Sequence, residues 1–263
     1  MGTYRYKKNY RITKKRFIFK NGLFWFFSFV LVILGVIIYF LFFSSFFQIK
    51  TLQFLGNEKT SFKELNKVIL EKEKNIFLIN LSQIKDNILK KYPYIEKVSF
   101  QKKLPNILNV QIEERKPAAI FCSIRDNQET CYFIDNKGVI FEPLGVDQFP
   151  LEMVKIKEEI FKDLDLGQVV IDSELIKKIL KINSQLKNLE IPAEEFLLVF
   201  DKRLNVKTCN KWEIYFSLEK DLDLQLNELE VLLKEENILK NRKNIEYIDL
   251  RFNKIFIYPE NKT

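Results

Sequence analysis

Histidine is absent from all 263 residues. That removes Ser-His and Cys-His nucleophile pairs, and with them the usual zinc hydrolase sites. Glycine is scarce, seven residues in all, and no Gly-rich phosphate loop can be assembled from them. Cysteine occurs three times. A further absence is positional, because residues 1–20 contain no acidic side chain but carry Arg5, Lys7, Lys8, Arg11, Lys14, Lys15, Arg16 and Lys20. The formal net charge of +8 therefore belongs to this tail, and the 35 remaining basic residues balance the 35 acidic ones. A basic footprint for nucleic acid on the rest of the chain loses its support.

Directly after the tail runs Leu23 to Phe47, 25 residues without charge or proline. As a helix rising ~1.5 Å per residue, this run is long enough to cross a hydrocarbon core of ~30 Å. Trp25 near one end and the phenylalanines at the other stand where interfacial aromatics belong. A cleaved signal peptide would have a shorter apolar region, ~7–15 residues, and a small-residue cleavage site. Ser44-Ser45-Phe46-Phe47 makes a poor one. A retained anchor is expected, with the basic flank on the cytoplasmic side and residues 48–263 across the bilayer.

Cys122 closes the apolar run Ala118-Ala119-Ile120-Phe121, and Cys131 opens Tyr132-Phe133-Ile134. If the two runs are hairpin strands, the sulfurs could face each other and pair in an oxidising compartment. Apolar packing of two small side chains is the alternative. Cys209 is left over and is expected to be buried.

Beyond the anchor, Ile49 to Leu55 reads as a strand ending at the turn signal Gly56-Asn57. Ser61 followed by Glu64 has capping-box spacing for a helix with Phe62, Leu65, Val68 and Ile69 on one face. A second helix carries Leu81, Ile84, Ile88 and Leu89 and stops at Tyr92-Pro93. Two alternating strands come next, around Val98-Phe100 and Leu108-Val110-Ile112, joined by the turn Leu104-Pro105-Asn106. The order is strand, helix, helix, strand, strand, one helical layer on a small sheet.

That order and its wording resemble the polypeptide-transport-associated (POTRA) domain of the bacterial division proteins FtsQ and DivIB. The residues that carry the resemblance are Gly56-Asn57, Asn75-Ile76-Phe77, Asn80-Leu81 and Tyr92-Pro93-Tyr94-Ile95. Leu104-Pro105-Asn106 leading through an alternating strand to Glu114-Arg115-Lys116-Pro117 matches a glutamate-arginine-x-proline pattern of that family. It continues through Tyr132-Phe133-Ile134-Asp135, Gly138-Val139-Ile140-Phe141, Phe149-Pro150 and Ile248-Asp249-Leu250-Arg251-Phe252. Two departures stand out. Lys72-Glu73-Lys74 replace a usual glycine before Asn75, and Asn253-Lys254 occupy a final hairpin where glycine is common. Asn also tolerates a left-handed backbone there.

After Pro117 the pattern changes to strands with inserted helices. Ala119–Cys122, Cys131–Ile134, Val139–Phe141, Phe196–Phe200, Val206–Cys209, Trp212–Leu218, Tyr247–Phe252 and Ile255–Tyr258 read as strands. Helices are expected from Ser173 to Leu186 and over Leu222–Leu233. The expected fold class is α+β, with residues 1–22 a basic tail, 23–47 a transmembrane helix, 48–116 a POTRA domain and 117–259 a mixed, mainly antiparallel β domain. Residues 260–263 form a short C-terminal tail.

Catalytic alternatives are weak on the residues themselves. Four Ser-x-x-Lys matches, at Ser82, Ser99, Ser184 and Ser217, lack the companion motifs of a penicillin-binding serine enzyme. Glu113 and Glu114 are neighbours on one strand and point to opposite faces, so they cannot flank one glycosidic bond. Glu194-Glu195 are expected to be solvated in a polar link, and the Leu222, Leu226, Leu229 and Leu233 stripe to cover the chain's own sheet.

Binding remains, and strand addition at an exposed edge is one general route. The resemblance implies a non-catalytic divisome scaffold without a cofactor, at the septum. It implies that the last strands bind the FtsB/DivIC–FtsL pair of membrane proteins, and that the POTRA domain meets further division proteins. Carried onto this sequence, the candidates are Tyr247, Ile248, Leu250, Arg251, Phe252 and Phe256. The alternatives are a membrane-anchored POTRA adaptor for secretion or envelope assembly and, in another class, an anchored cell-wall enzyme.

Overall fold

The computed structural model describes residues 22–70, 75–125, 128–145, 150, 153–159, 164–199, 202–235 and 244–259. The basic tail, Lys72–Lys74, Phe149 and residues 260–263 lie outside the described residues. The first element is α1, Gly22–Phe43, a 22-residue helix with no buried residue. At ~1.5 Å per residue it is about 33 Å long, a match for a bilayer core. Its lack of sidedness separates it from a core helix, which would bury one stripe. The helix stops four residues before Phe47, because Ser44 takes an extended backbone and its hydroxyl accepts from Phe46 N–H, starting a one-turn 3-10 helix, Ser45–Phe47.

A small domain comes next, with β1 at Thr51–Leu55, α2 at Phe62–Leu70, α3 at Leu81–Lys91, β2 at Ile95–Lys103 and β3 at Ile107–Glu114. The sheet order is β1-β3-β2, with β1 parallel to β3 and β2 antiparallel to it. Alternation on β3 buries Leu108, Val110 and Ile112 under Leu65 and Ile69 of α2 and Ile84 and Ile88 of α3. Each such side chain contributes roughly 1.5–3 kcal/mol by leaving water. Asn80 caps α3, its side chain accepting from Gln83 N–H at 3.2 Å. Gly56 must be glycine: its φ is +81° and a Cβ there would lie 2.2 Å from the Ile112 carbonyl oxygen.

The large domain contains β4 (Ala119–Arg125), β5 (Gln128–Ile134), β6 (Ile140–Leu144), β7 (Lys155–Glu159), α4 (Ser173–Asn188), β8 (Ala193–Val199), β9 (Arg203–Thr208), β10 (Glu213–Ser217), α5 (Leu222–Lys234), β11 (Ile245–Asp249) and β12 (Phe256–Pro259). They build one mixed sheet in the order β12-β11-β10-β9-β8-β7-β4-β5-β6. Five of its pairings are antiparallel, and three, β10–β11, β4–β7 and β7–β8, are parallel. Helices α4 and α5 cover one face, where Ile179, Ile182, Leu186, Leu226 and Leu229 pack on Phe196, Val206, Ile214 and Ile248. The leucine stripe of α5 therefore faces its own sheet. The α+β class holds throughout.

Three features depart from the expectations. Strand β7 was not foreseen, because Lys155-Ile156-Lys157 offers one apolar residue between lysines; yet Ile156 is fully buried at the centre of the sheet. Glu194 and Glu195 stand inside β8, not in a link, and Glu195 pairs with Lys157 at 2.7 Å. Cys209 is exposed in the turn after β9, not buried in the strand. In addition, Glu190 and Lys211 are the left-handed non-glycine residues among those described, so Asn253 does not use that conformation.

The two domains meet through Arg115, whose guanidinium binds the Asp135 carboxylate and donates to the Pro93 carbonyl at 2.9 Å. Asp135 is 1% exposed. Its second oxygen accepts from the Lys137 and Val139 N–H groups at 2.9 and 3.0 Å, so both carboxylate oxygens are satisfied. Glu96–Lys137 and Lys59–Glu142 ion pairs flank this joint. Glu114 accepts from the N–H groups of Glu58, Lys59 and Thr60 at 3.0, 2.9 and 3.3 Å. The glutamate and arginine of the Glu114–Pro117 motif thus order a loop and bind the domains together.

Candidate partner-binding surface

Beside a buried cluster of Ile120, Cys122 and Cys131, the face of the large sheet opposite α4 and α5 carries two chemically distinct surface zones. Over β5, β7, β8 and β9, charges alternate and neutralise each other. Glu129 lies 2.9 Å from Lys155 and 3.5 Å from Lys157, and Lys207 lies 3.7 Å from both Glu194 and Glu195. Burial alone would raise Glu129, but Lys155 and Lys157 outweigh it and hold the carboxyl below its ordinary range. Burial likewise works against the charge on Lys157, and its contacts with Glu195 and Glu129 leave it raised. A self-compensated surface of this kind offers little to a partner.

The second zone covers β9 to β12 and is aromatic. Period-two alternation that buries Ile214, Phe216 and Ile248 turns Tyr215 and Tyr247 outward. Tyr247 is stacked between Tyr215 and Tyr258, with ring centroids 5.0 and 5.2 Å away. Arg203 and Arg251 lie over the Tyr215 ring at 5.5 and 5.4 Å, and Arg251 also lies 5.3 Å from Phe252. Phe252 and Phe256, both exposed, meet edge to face at 5.8 Å. Burial pushes the Tyr215 hydroxyl up to about 12, aided by the Glu213 carboxylate.

Arg251 is held by Asp249 through two parallel bonds, Nε to Oδ1 at 2.9 Å and Nη2 to Oδ2 at 2.6 Å. Burial would raise Asp249, but Arg251 outweighs it and keeps the carboxyl below the usual carboxylate range. Arg203 Nε and Asn205 Oδ1 are buried with no hydrogen-bond partner among the described residues. Strand β12 ends the sheet order, so its outer backbone groups form an edge, whereas β11 is interior and parallel to β10.

The expected site residues therefore divide. Tyr247, Arg251, Phe252 and Phe256 reach one patch. Ile248 and Leu250 do not: both are 0% exposed and belong to the core. The alternation that presents Tyr247 puts Ile248 under the helices, and Leu250 N–H is bound to the Tyr215 carbonyl at 3.0 Å. Tyr258, Tyr215 and Arg203 belong to the patch but were missed. An outward tyrosine flanked by Ile214 and Phe216 was a readable signal for Tyr215. Arg203 had none, since the ring it covers belongs to a different strand.

Among the Ser-x-x-Lys serines, Ser99 and Ser217 lie in strands and Ser184 lies within α4, whereas Ser82 stands in the first turn of α3. Cys122, Glu129 and Cys131 come within 4.8 Å of one another, but the two sulfurs are joined as a disulfide across paired positions of β4 and β5. That leaves no thiolate to hold an ion.

A helix that fits a single-pass membrane anchor, a small β-α-α-β-β domain and a mixed sheet with helices on one face define a pair of α+β domains behind an apolar N-terminal helix. The family model for the POTRA domain, FtsQ-type, matches residues 47–115, and the model for Cell division protein FtsQ/DivIB, C-terminal, matches residues 124–251. The Cell division protein DivIB of Clostridium acetobutylicum is 28% identical over 190 residues, 70% of each chain. The protein of the same name from Clostridium tetani is 26% identical over 230 residues, 85% of this chain and 83% of the other. This chain belongs to the FtsQ/DivIB family of cell division proteins.

Proposed function

We propose that the chain is a non-catalytic scaffold of the division machinery, anchored by α1 with its basic tail in the cytoplasm and both domains outside. Through its C-terminal edge it takes up the FtsB/DivIC-like and FtsL-like pair at the septum. The observation that carries this reading is β12, an edge strand bordered by the Tyr247–Tyr258 stack and the exposed Phe252 and Phe256. Main-chain bonds along such an edge supply affinity, while side chains on alternate positions select the partner. Aromatic rings and arginines are the residue types enriched at such contacts. The absence of histidine from the sequence removes Ser-His and Cys-His chemistry, which favours a binding role.

Co-purification of the full chain with the host's DivIC-like protein tests the surface. Replacing both Phe256 and Tyr258 by Asp should abolish capture while leaving the folded domain intact, since both side chains are about half exposed. Undiminished capture rejects this edge. A fluorescent fusion should gather at midcell; an even peripheral distribution would favour an envelope adaptor instead.

A further inference from the structure

The junction between α1 and the small domain is built as a joint, not a tether. The Asn75 side-chain amide donates to the carbonyls of Leu41 and Phe42 at 3.0 and 2.9 Å, two of the last acceptors of α1. Its Oδ1 accepts from Phe77 N–H at 2.8 Å, and Ile76 N–H donates to the Phe47 carbonyl at 2.9 Å. Rings carry the same connection: Phe47 packs on Phe40 of α1 at 5.8 Å and on Phe77 of the α2–α3 link at 5.1 Å. Asn75 is buried, and both halves of its amide are engaged.

A group 3 Å from the carbonyls of residues 41 and 42 lies at their depth. For a helix about 33 Å long across a core of about 30 Å, that depth is the outer edge of the hydrocarbon. The α2–α3 link must therefore meet the bilayer, and past buried Ile76 its side chains Phe77 and Leu78 are exposed, Leu78 at 53%. A second loop lies close to that level. Lys50, three residues past Phe47, donates its N–H to the Asn106 carbonyl at 3.0 Å. This places the β2–β3 hairpin tip beside the helix exit, and three residues span ~10 Å at most. That tip presents Leu104, 60% exposed, after Lys102 and Lys103, also exposed.

We infer that Phe77-Leu78 and the Lys102-Lys103-Leu104 tip form a second membrane contact, seated in the lipid interface on the outer side of α1. Apolar tips enter the headgroup boundary, and the lysines meet anionic headgroups. The surface is continuous with α1, so lipid is its occupant. The consequence is a small domain held in one orientation against the bilayer, with the C-terminal edge held at a set height above it. The inference rests on the reading of α1 as membrane-spanning, and the test separates the two.

The full chain is reconstituted in phosphatidylcholine–phosphatidylglycerol vesicles with lipids brominated high on the acyl chain. In the unaltered protein, quenching of Trp25 reports insertion of α1. In a Trp25→Phe background, Phe77→Trp, Leu104→Trp and, as a remote surface control, Val231→Trp are compared. Buried Trp212 provides a constant signal and shows by its emission that each variant is folded. Loss of emission at positions 77 and 104 but not 231 is expected. Insertion of α1 with positions 77 and 104 no more quenched than 231 overturns the lipid contact alone. Unquenched Trp25 overturns the anchor and the contact together.

Discussion

The two ends of the nine-stranded sheet are held by different means. At the β4–β5–β6 end, a disulfide between Cys122 and Cys131 crosses the hairpin, and Gly138 allows the following turn to press against Ile171. At the β10–β11–β12 end, stacked tyrosines and the Asp249–Arg251 pair lie over a short edge strand. One end is fastened covalently and by steric fit. The other is held by partly buried aromatic stacking and an ion pair between a buried carboxylate and a half-buried guanidinium. Among the described residues no strand pairs with the outer side of β12, the condition an edge needs in order to accept another strand.

The comparison can be broken most severely at Gly138. Its φ is +77°, and a Cβ would stand 1.8 Å from the Ile171 carbonyl oxygen, a backbone atom that cannot swing aside. Gly138→Ala should cost on the order of 3 kcal/mol or more, read as a lowered urea midpoint of the detergent-solubilised protein. Reducing the disulfide should cost less, about 2 kcal/mol for a bridge closing so short a loop. Alkylation without reduction should label Cys209 and spare Cys122 and Cys131; labelled thiols at both would deny the staple.

The smallest effect is expected at the open end. Asp249→Asn removes one partner of a half-buried pair and should cost roughly 1–2 kcal/mol at neutral pH. Because the folded Asp249 carboxyl is lowered, its contribution is complete above the unfolded value of about 3.9 and is lost as pH falls through the folded one. Acid titration of stability should therefore be flatter below pH ~4 in Asp249→Asn than in the unaltered protein. Parallel curves would show that Asp249 contributes nothing to the acid sensitivity.

Much of the architecture was legible because its signals are local. The uncharged run of α1, the helices of the small domain and the Leu104-Pro105-Asn106 turn each declare themselves within a few residues. Strand β7 did not, since Lys155 and Lys157 find their counter-charges on Glu129 and Glu195, which only the folded sheet brings near. The same cause explains Glu194-Glu195, which read as solvated surface until Lys157 and Lys207 stand beside them. Cys209 was misplaced by a strand end shifted by one residue, enough to move it from the sheet into an exposed turn.

The candidate surface was half legible. Of the expected residues, Tyr247, Arg251, Phe252 and Phe256 reach one aromatic patch, whereas Ile248 and Leu250 belong to the core and Tyr215, Tyr258 and Arg203 join the patch beside Tyr247. By itself the sequence determined a helix long enough for a bilayer, a POTRA order of elements and the absence of histidine chemistry. Those rest on run length, short-range periodicity and composition. Only the tertiary structure decided that β11 is interior and β12 the edge, and that Asn75 locks the small domain to the end of α1. Strand order and helix capping across 33 residues are pairings between distant segments, and no local pattern encodes which distant backbone a strand or an amide will meet.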